Sequence, residues 1–147
     1  TTDTDNWLDE RFCTLAGNQA VMTTPITIGE RTVEIKKRTE TMLLAEFRQL
    51  CMQPRSAADF IELANNYNTV LIDNIPALTD TFMDPTRRFI YLVDEFYDRK
   101  VKLLIRAEQS ILDIYQGEKL AFEIERTRSR LLEMQSEEYL SQEHKLD

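Results

Sequence analysis

The chain has 147 residues, 42% of them hydrophobic, with a formal net charge of −8 and a pI of about 4.8. That length bounds it at a single domain, or a piece of a larger protein, with enough apolar residues for a core; the acidic balance argues against non-specific nucleic-acid binding. No apolar run approaches the ~20 residues of a membrane span, and Cys13 and Cys51, with neither metal nor disulfide spacing, read as two reduced thiols of a cytosolic protein.

Residues 5–16 read as a short helix with Leu8, Phe12 and Leu15 on one face and Gly17-Asn18 as its stop. Residues 25–37 form a hairpin candidate. A two-residue turn at Gly29-Glu30 places Ile26 opposite Val33 and Ile28 opposite Arg31, and glycine in the first loop position suits a type II′ turn. Ile26, Ile28, Val33 and Ile35 then share a face. Met42 to Ala45 is a candidate third strand, followed by one helical turn over 46–51. Ser56-Ala57-Ala58-Asp59 has the form of a capping box and opens a helix whose apolar stripe is Ala57, Phe60, Ile61, Ala64 and Tyr67.

The organising unit lies between Thr69 and Glu108. Residues 69–75 and 101–107 are short, nearly continuous apolar runs, which suit strands buried on both faces of a parallel sheet. Between them Phe89, Leu92, Val93 and Phe96 fall at i, i+3, i+4 and i+7, one helical stripe. Asp84 is placed to cap that helix and Pro85 suits its first turn. The unit reads as a β-α-β crossover. Beyond it, residues 110–115 suit a short helix stopped near Gly117. Residues 119–125 alternate apolar and charged and read as an edge strand or an extended lead-in. A final helix is expected over 127–142. The fold class is therefore α/β, a partial parallel sheet with packed helices and an N-terminal β-hairpin. The chain reads as one region, with residues 18–52 as a hairpin subregion and 53–147 as the α/β part.

Three glycines, Gly17, Gly29 and Gly117, cannot supply a P-loop or a dinucleotide fingerprint. Ile90-Tyr91-Leu92-Val93-Asp94-Glu95 imitates a Walker B strand, but the helical stripe runs through it and Glu95 can pair with Arg99 one turn on. Asp73 after Val70-Leu71-Ile72 is a second imitation. No catalytic constellation forms around the lone His144, which reads as a surface residue near the C-terminus, and no metal site is expected. The feature that breaks a local rule is Arg126-Thr127-Arg128-Ser129-Arg130. Placed in the first turn of the last helix, three cations would oppose the helix dipole by about 0.3–1 kcal/mol each, and such violations mark candidate sites. Arginines beside free backbone N–H groups suit a phosphate or carboxylate. The alternative is that Glu123, Glu125 and Glu133 neutralise them.

Several runs resemble the C-terminal half of the ZapE / mitochondrial AFG-one-like ATPases. They are Pro54-Arg55-Ser56 with 59–64, Arg88-Phe89-Ile90 with 92–99, and above all Arg126-Thr127, Ser129-Arg130-Leu131 and Glu133-Met134-Gln135-Ser136. The likeness covers most of residues 29–139. It implies an AAA+ P-loop ATPase whose Walker A, Walker B and sensor-1 segments lie in an N-terminal half missing here. It implies a factor of bacterial cell division or mitochondrial protein quality control, cytoplasmic in a bacterium and mitochondrial in a eukaryote. On that analogy Arg126 and Arg130 sense nucleotide phosphates or couple to a neighbouring subunit, while Arg128 fills a variable position of the motif. ATP and Mg²⁺ would serve the full-length protein, with no cofactor in this region, which should not hydrolyse ATP alone. The implied partners are the remaining ATPase half, cell-division proteins or further copies of the chain, with no nucleic acid. Two other readings stay open: a self-standing interaction module with an acidic surface, and a small α/β enzyme with a carboxylate or arginine site.

Overall fold

The computed structural model describes residues 7–144. Helix α1 (Trp7–Ala16) is followed by strands β1 (Ile26–Ile28), β2 (Arg31–Val33), β3 (Lys37–Arg38) and β4 (Met42–Glu46). Helices α2 (Phe47–Leu50) and α3 (Ala57–Asn66) lead to β5 (Thr69–Ile75). Then come α4 (Met83–Asp98), β6 (Lys102–Ala107), α5 (Ala121–Glu133) and α6 (Glu137–Leu140), with 3-10 turns at Asp80–Phe82 and Ile111–Asp113.

Strands β3 to β6 form one sheet in that order; β3 is antiparallel to β4, and β4, β5 and β6 run parallel. The expected pair of parallel neighbours is β5 and β6, with Thr69 beside Lys102 and Leu71 beside Leu104, joined through α4. The chain is α/β, as the apolar runs require. Alternate residues of the parallel strands serve two cores, because side chains point to opposite faces at every step. Leu43, Ala45, Val70 and Ile72 join the large core with α3, α4 and α5. Met42, Leu44 and Leu71 meet Leu8, Phe12 and Ala16 of α1 on the other face.

The hairpin has the expected register, Ile26 beside Val33 and Ile28 beside Arg31. Gly29 has φ +61°, and Glu30 is not among the positive-φ residues. Positive φ at the first central residue alone fits a type II′ turn. The hairpin is tied to α3: the Gly29 N–H donates to Glu62 Oε1 at 3.0 Å, and Arg31 Nη1 to Asp59 Oδ2 at 2.7 Å. Asp59 also accepts from the Ser56 N–H at 2.9 Å, so the capping box holds the hairpin as well as the helix end.

Phe89, Leu92, Val93 and Phe96 of α4 are fully buried, and Glu95 pairs with Arg99. Residues 90–95 are helical, so the Walker B imitation is a helix. Asp84 lies inside the first turn and not at the cap, since α4 continues from the 3-10 turn before it. In α3 the buried stripe is Phe60, Leu63, Ala64 and Tyr67, with Ala57 exposed. In α1, Ala16 replaces Leu15 on the buried face; Asp5 and Asn6 lie outside the described residues.

The C-terminal third differs most from expectation. Residues 121–125 are helical, and the expected edge strand over 119–125 does not form. Of its alternating apolar residues Leu120 and Ile124 are buried, while Phe122 is 89% exposed. The buried set Leu120, Ile124, Thr127 and Leu131 recurs at helical spacing. What starts the helix here is distant in sequence. The Asp80 carboxylate accepts from the backbone N–H groups of Glu118 and Lys119 at 3.1 and 3.2 Å and from the Tyr115 hydroxyl at 2.8 Å. The Tyr115 oxygen in turn accepts from the Leu120 N–H at 2.8 Å. The bonds from Glu118 and Lys119 fix the turn that leads into α5, and the Leu120 N–H is a donor that the helix start leaves without an intrahelical partner; the Tyr115 hydroxyl first, then the Glu118 and Lys119 N–H groups, hold the Asp80 carboxyl below the usual carboxylate range. The expected single helix over 127–142 is also broken. Helix α5 stops at Glu133 and α6 restarts behind Ser136, whose Oγ accepts the Tyr139 N–H.

Candidate functional site

Since α5 begins at Ala121, the arginine run occupies its middle and last turns rather than its first. The dipole argument therefore reverses. Glu123 stands in the first turn and Arg130 in the last, the favourable polarity for both charges. The run is nonetheless committed to specific partners. Arg126 and Arg130 are one turn apart and reach the same carboxylate, that of Asp94 on α4. Arg126 Nη2 lies 3.2 Å from Oδ2 of Asp94, and Arg130 Nη1 bonds Oδ1. Arg128 points elsewhere: it bonds Glu125 at 2.9 Å and the Tyr115 carbonyl at 3.0 Å. The structure thus brings Arg126 and Arg130 together and separates Arg128 from them. Of the proposed neutralising glutamates only Glu125 pairs with an arginine of the run, Arg128.

An aromatic pair supports the clamp from below. The Arg130 guanidinium lies over the Tyr97 ring at 5.0 Å from its centroid, and Tyr97 stacks on Tyr139 at 5.8 Å with 18° between planes. Lys100 Nζ sits over both rings at 4.8 and 5.2 Å. Cations over aromatic faces contribute about 0.5–2 kcal/mol each, more where water is excluded. The Tyr139 hydroxyl is buried and lies 2.7 Å from the Val101 carbonyl and 3.0 Å from that of Phe96. Burial pushes its acidity far out of the physiological range. A hydrogen bond to Glu133 similarly holds the Tyr97 phenol up. Asp94 and the Tyr97 ring thus position Arg130 at the α4–α5–α6 corner, with Arg126 beside it on the same carboxylate. The Arg126 side chain is 61% exposed, so the clamp opens to solvent.

A second polar cluster stands at the carboxyl ends of the parallel strands, where open α/β sheets place ligands. The Asp73 side chain is only 1% exposed and is held by Arg106 Nε at 2.5 Å and Lys36 Nζ at 2.9 Å. Burial alone would raise the Asp73 carboxyl, but bonds and charge from Arg106 and Lys36 outweigh it and hold it below the usual carboxylate range. Lys36 shows the converse: burial lowers it, and Asp73 and then Asp9 more than compensate. Asn74, next in the strand, has φ +56° and spans from Glu46 at 3.1 Å to Arg106 at 3.3 Å. The parallel register with β6 slips at this point. Sequence reasoning saw Asp73 only as a false Walker B residue. Lys36 and Arg106 carried no local signal, because only the sheet brings them to Asp73.

Among the described residues no group of three or more His, Cys, Asp or Glu side chains is placed to hold a metal ion. The glycines do not form a phosphate loop: Gly17 follows α1, Gly29 turns the hairpin, and Gly117 packs against Asp80 and Tyr115. Cys13 and Cys51 are free thiols. Cys51 is buried, and burial pushes its thiol pKa far up, so it stays protonated and unreactive. His144 is half-buried with Nε2 against the Ala64 carbonyl at the end of α3, so it packs on the domain instead of lying free. No helix among the described residues is long and apolar enough to cross a membrane.

Residues 2–143 match the family described as AFG1-like ATPase. The chain is 41% identical over 137 residues to the cell division protein ZapE of Escherichia coli K12, covering 93% of this chain and 36% of that protein. It is 29% identical over 171 residues to lactation elevated protein 1 homolog B of Danio rerio, with 93% and 34% covered. The chain thus spans about a third of the length of these relatives. No solved structure matches it.

Proposed function

This chain belongs to the AFG1-like ATPase family, and on that premise we propose that it serves as the C-terminal part of an AAA+-like ATPase, a cytoplasmic factor acting in cell division or protein quality control. In this reading ATP and Mg²⁺ are bound by the P-loop half of the full-length protein. The region answers to nucleotide through Arg126 and Arg130 and hydrolyses nothing by itself. The observation that carries it is the convergence of these two guanidinium groups on one solvent-accessible carboxylate. Two arginines that grip the oxygens of Asp94 are spaced to grip the oxygens of a phosphoryl group. Asp94 is then the anion held when no phosphate is near, and a nucleotide phosphate competes with it for the same donors.

A positioned arginine stabilises the charge that spreads over a transferring phosphoryl group. In the full-length protein Arg130→Ala should lower ATP turnover by about 10-fold or more, and Arg126→Ala should lower it in the same direction. Both should leave a folded protein. Turnover and thermal melting measured on the same full-length Arg130→Ala protein decide the matter. Unchanged turnover with a shifted melt would reduce the clamp to an ion pair joining α4 and α5.

A further inference from the structure

Among the described residues strand β6 ends the sheet, with a hydrogen-bonded neighbour only at β5. All six of its residues are partly exposed, whereas β4 and β5 are almost wholly buried. The Lys102 N–H bonds the Asn68 carbonyl on the β5 side. Backbone groups alternate along a strand with period two, so those of Leu103 and Ile105 face away from β5. An open, apolar strand edge is something soluble proteins cover or blunt. Here it is the floor of a slot. On one side stand Trp7 and Leu15 of α1, 43% and 46% exposed; on the other stand Leu131, Met134 and the 42% exposed Leu140. Two clefts of about 400 and 190 Å³ run along it, both lined by Leu103, Leu104 and Met134.

We infer that this slot receives one further β-strand, supplied by the polypeptide that full-length members of the family carry outside this region. The inference rests on the reading of the chain as part of a longer ATPase. The relatives have about two thirds of their length beyond the matched region, which is ample to provide a strand. The slot also states the chemistry of its occupant. Leu103 and Ile105 join the core on the α5 side, so the incoming strand presents apolar residues there. Lys102 and Leu104 line the other wall with Arg11, which calls for an acidic residue beside an apolar one. A second copy of the chain fits poorly. Antiparallel pairing of two β6 strands about Leu104 sets Lys102 against Arg106 twice, and like charges directly opposite are destabilising. Strand addition of this kind draws its affinity from main-chain hydrogen bonds and its selectivity from alternate side chains.

Amide hydrogen exchange of the full-length protein and of the 147-residue chain, both without nucleotide, tests the assignment. The Leu103 and Ile105 amides should exchange at least about 100-fold more slowly in the full-length protein, as buried hydrogen-bonded strands do. The Lys102 amide, bonded to Asn68, should be protected in both. Leu140→Glu, at an already exposed wall position, should leave the melt of the 147-residue chain unchanged and restore exchange at Leu103 and Ile105 in the full-length protein. Equal exchange of these two amides in both proteins would overturn the inference. So would protection that appears in the short chain as it dimerises, which would make the occupant a second copy. The outcome is separable from the functional reading: if the arginines have no role in turnover, Arg130→Ala turns over normally while Leu103 and Ile105 stay protected.

Discussion

Replacing Gly117 with alanine puts a methyl group where the structure has no room for one. An ideal Cβ at that position lies 2.4 Å from Asp80 Oδ1, 2.6 Å from the Tyr115 hydroxyl and 2.8 Å from Tyr115 Cζ. All three distances are well inside contact. The obstructing groups are ends of side chains, but they are not free to swing aside. Asp80 holds the Glu118 and Lys119 N–H groups and the Tyr115 hydroxyl, and that hydroxyl holds the Leu120 N–H. Moving either group away from the new methyl lengthens bonds that position the start of α5. Overpacking of this sort costs about 1–3 kcal/mol. For a chain of this length each kcal/mol lowers the melting temperature by about 2–4 °C, so a fall of about 2–12 °C is expected. Thermal unfolding followed by circular dichroism measures it. The cost should shrink in an Asp80→Gly background, because neighbouring substitutions that share a contact are not additive. A Gly117→Ala protein that melts with the parent would refute the view that the Asp80–Tyr115 contact sets where α5 begins.

Three further outcomes are expected. Phe89→Ala, at a fully buried position packed 6.0 Å from the Phe47 ring, should lose about 3–5 kcal/mol in urea titration; a loss below 1 kcal/mol would mean that α4 does not cross the sheet as described. The chain alone should show no steady ATP turnover, since its glycines build no phosphate loop; hydrolysis by purified protein that disappears on Asp94→Asn would contradict this. Stability should also fall in acid through Asp73. Its carboxyl is depressed in the folded state, so its contribution is fully present above the unfolded value of about 3.9 and is lost as pH drops below that through the folded value. Denaturation midpoints from pH 7 to pH 2 should show this loss in the parent and a smaller one in Asp73→Asn; identical pH profiles would remove Asp73 from the account.

What the sequence determined by itself was whatever its periodicity encodes within one element. The continuous runs at 69–75 and 101–107 marked two parallel strands, but only the first is buried on both faces, since 102–107 lies at the edge of the sheet and stays partly exposed; the i, i+3, i+4, i+7 stripe of α4 could only be a helix. The same logic fixed the hairpin register, because a two-residue turn leaves one pairing. It also exposed the false Walker B run as helix. The C-terminal third resisted because residues 119–125 satisfy two periods at once. Leu120, Phe122 and Ile124 alternate, while Leu120, Ile124 and Leu131 recur at helical spacing. Local residues could not choose between them; Asp80, 38 residues before Glu118, did so by taking the N–H groups of the turn that leads into the helix. The placement of α5 then changed the meaning of the arginine run. Read locally, its charges opposed a dipole. In the fold they lie in the middle and last turns of a helix, and Arg126 and Arg130 converge on Asp94, which the sequence had offered only as part of a discarded motif. Lys36, Asp73 and Arg106 meet for the same reason. Partners more than thirty residues apart are chosen by packing, and packing leaves no period in the chain for a local reading to find.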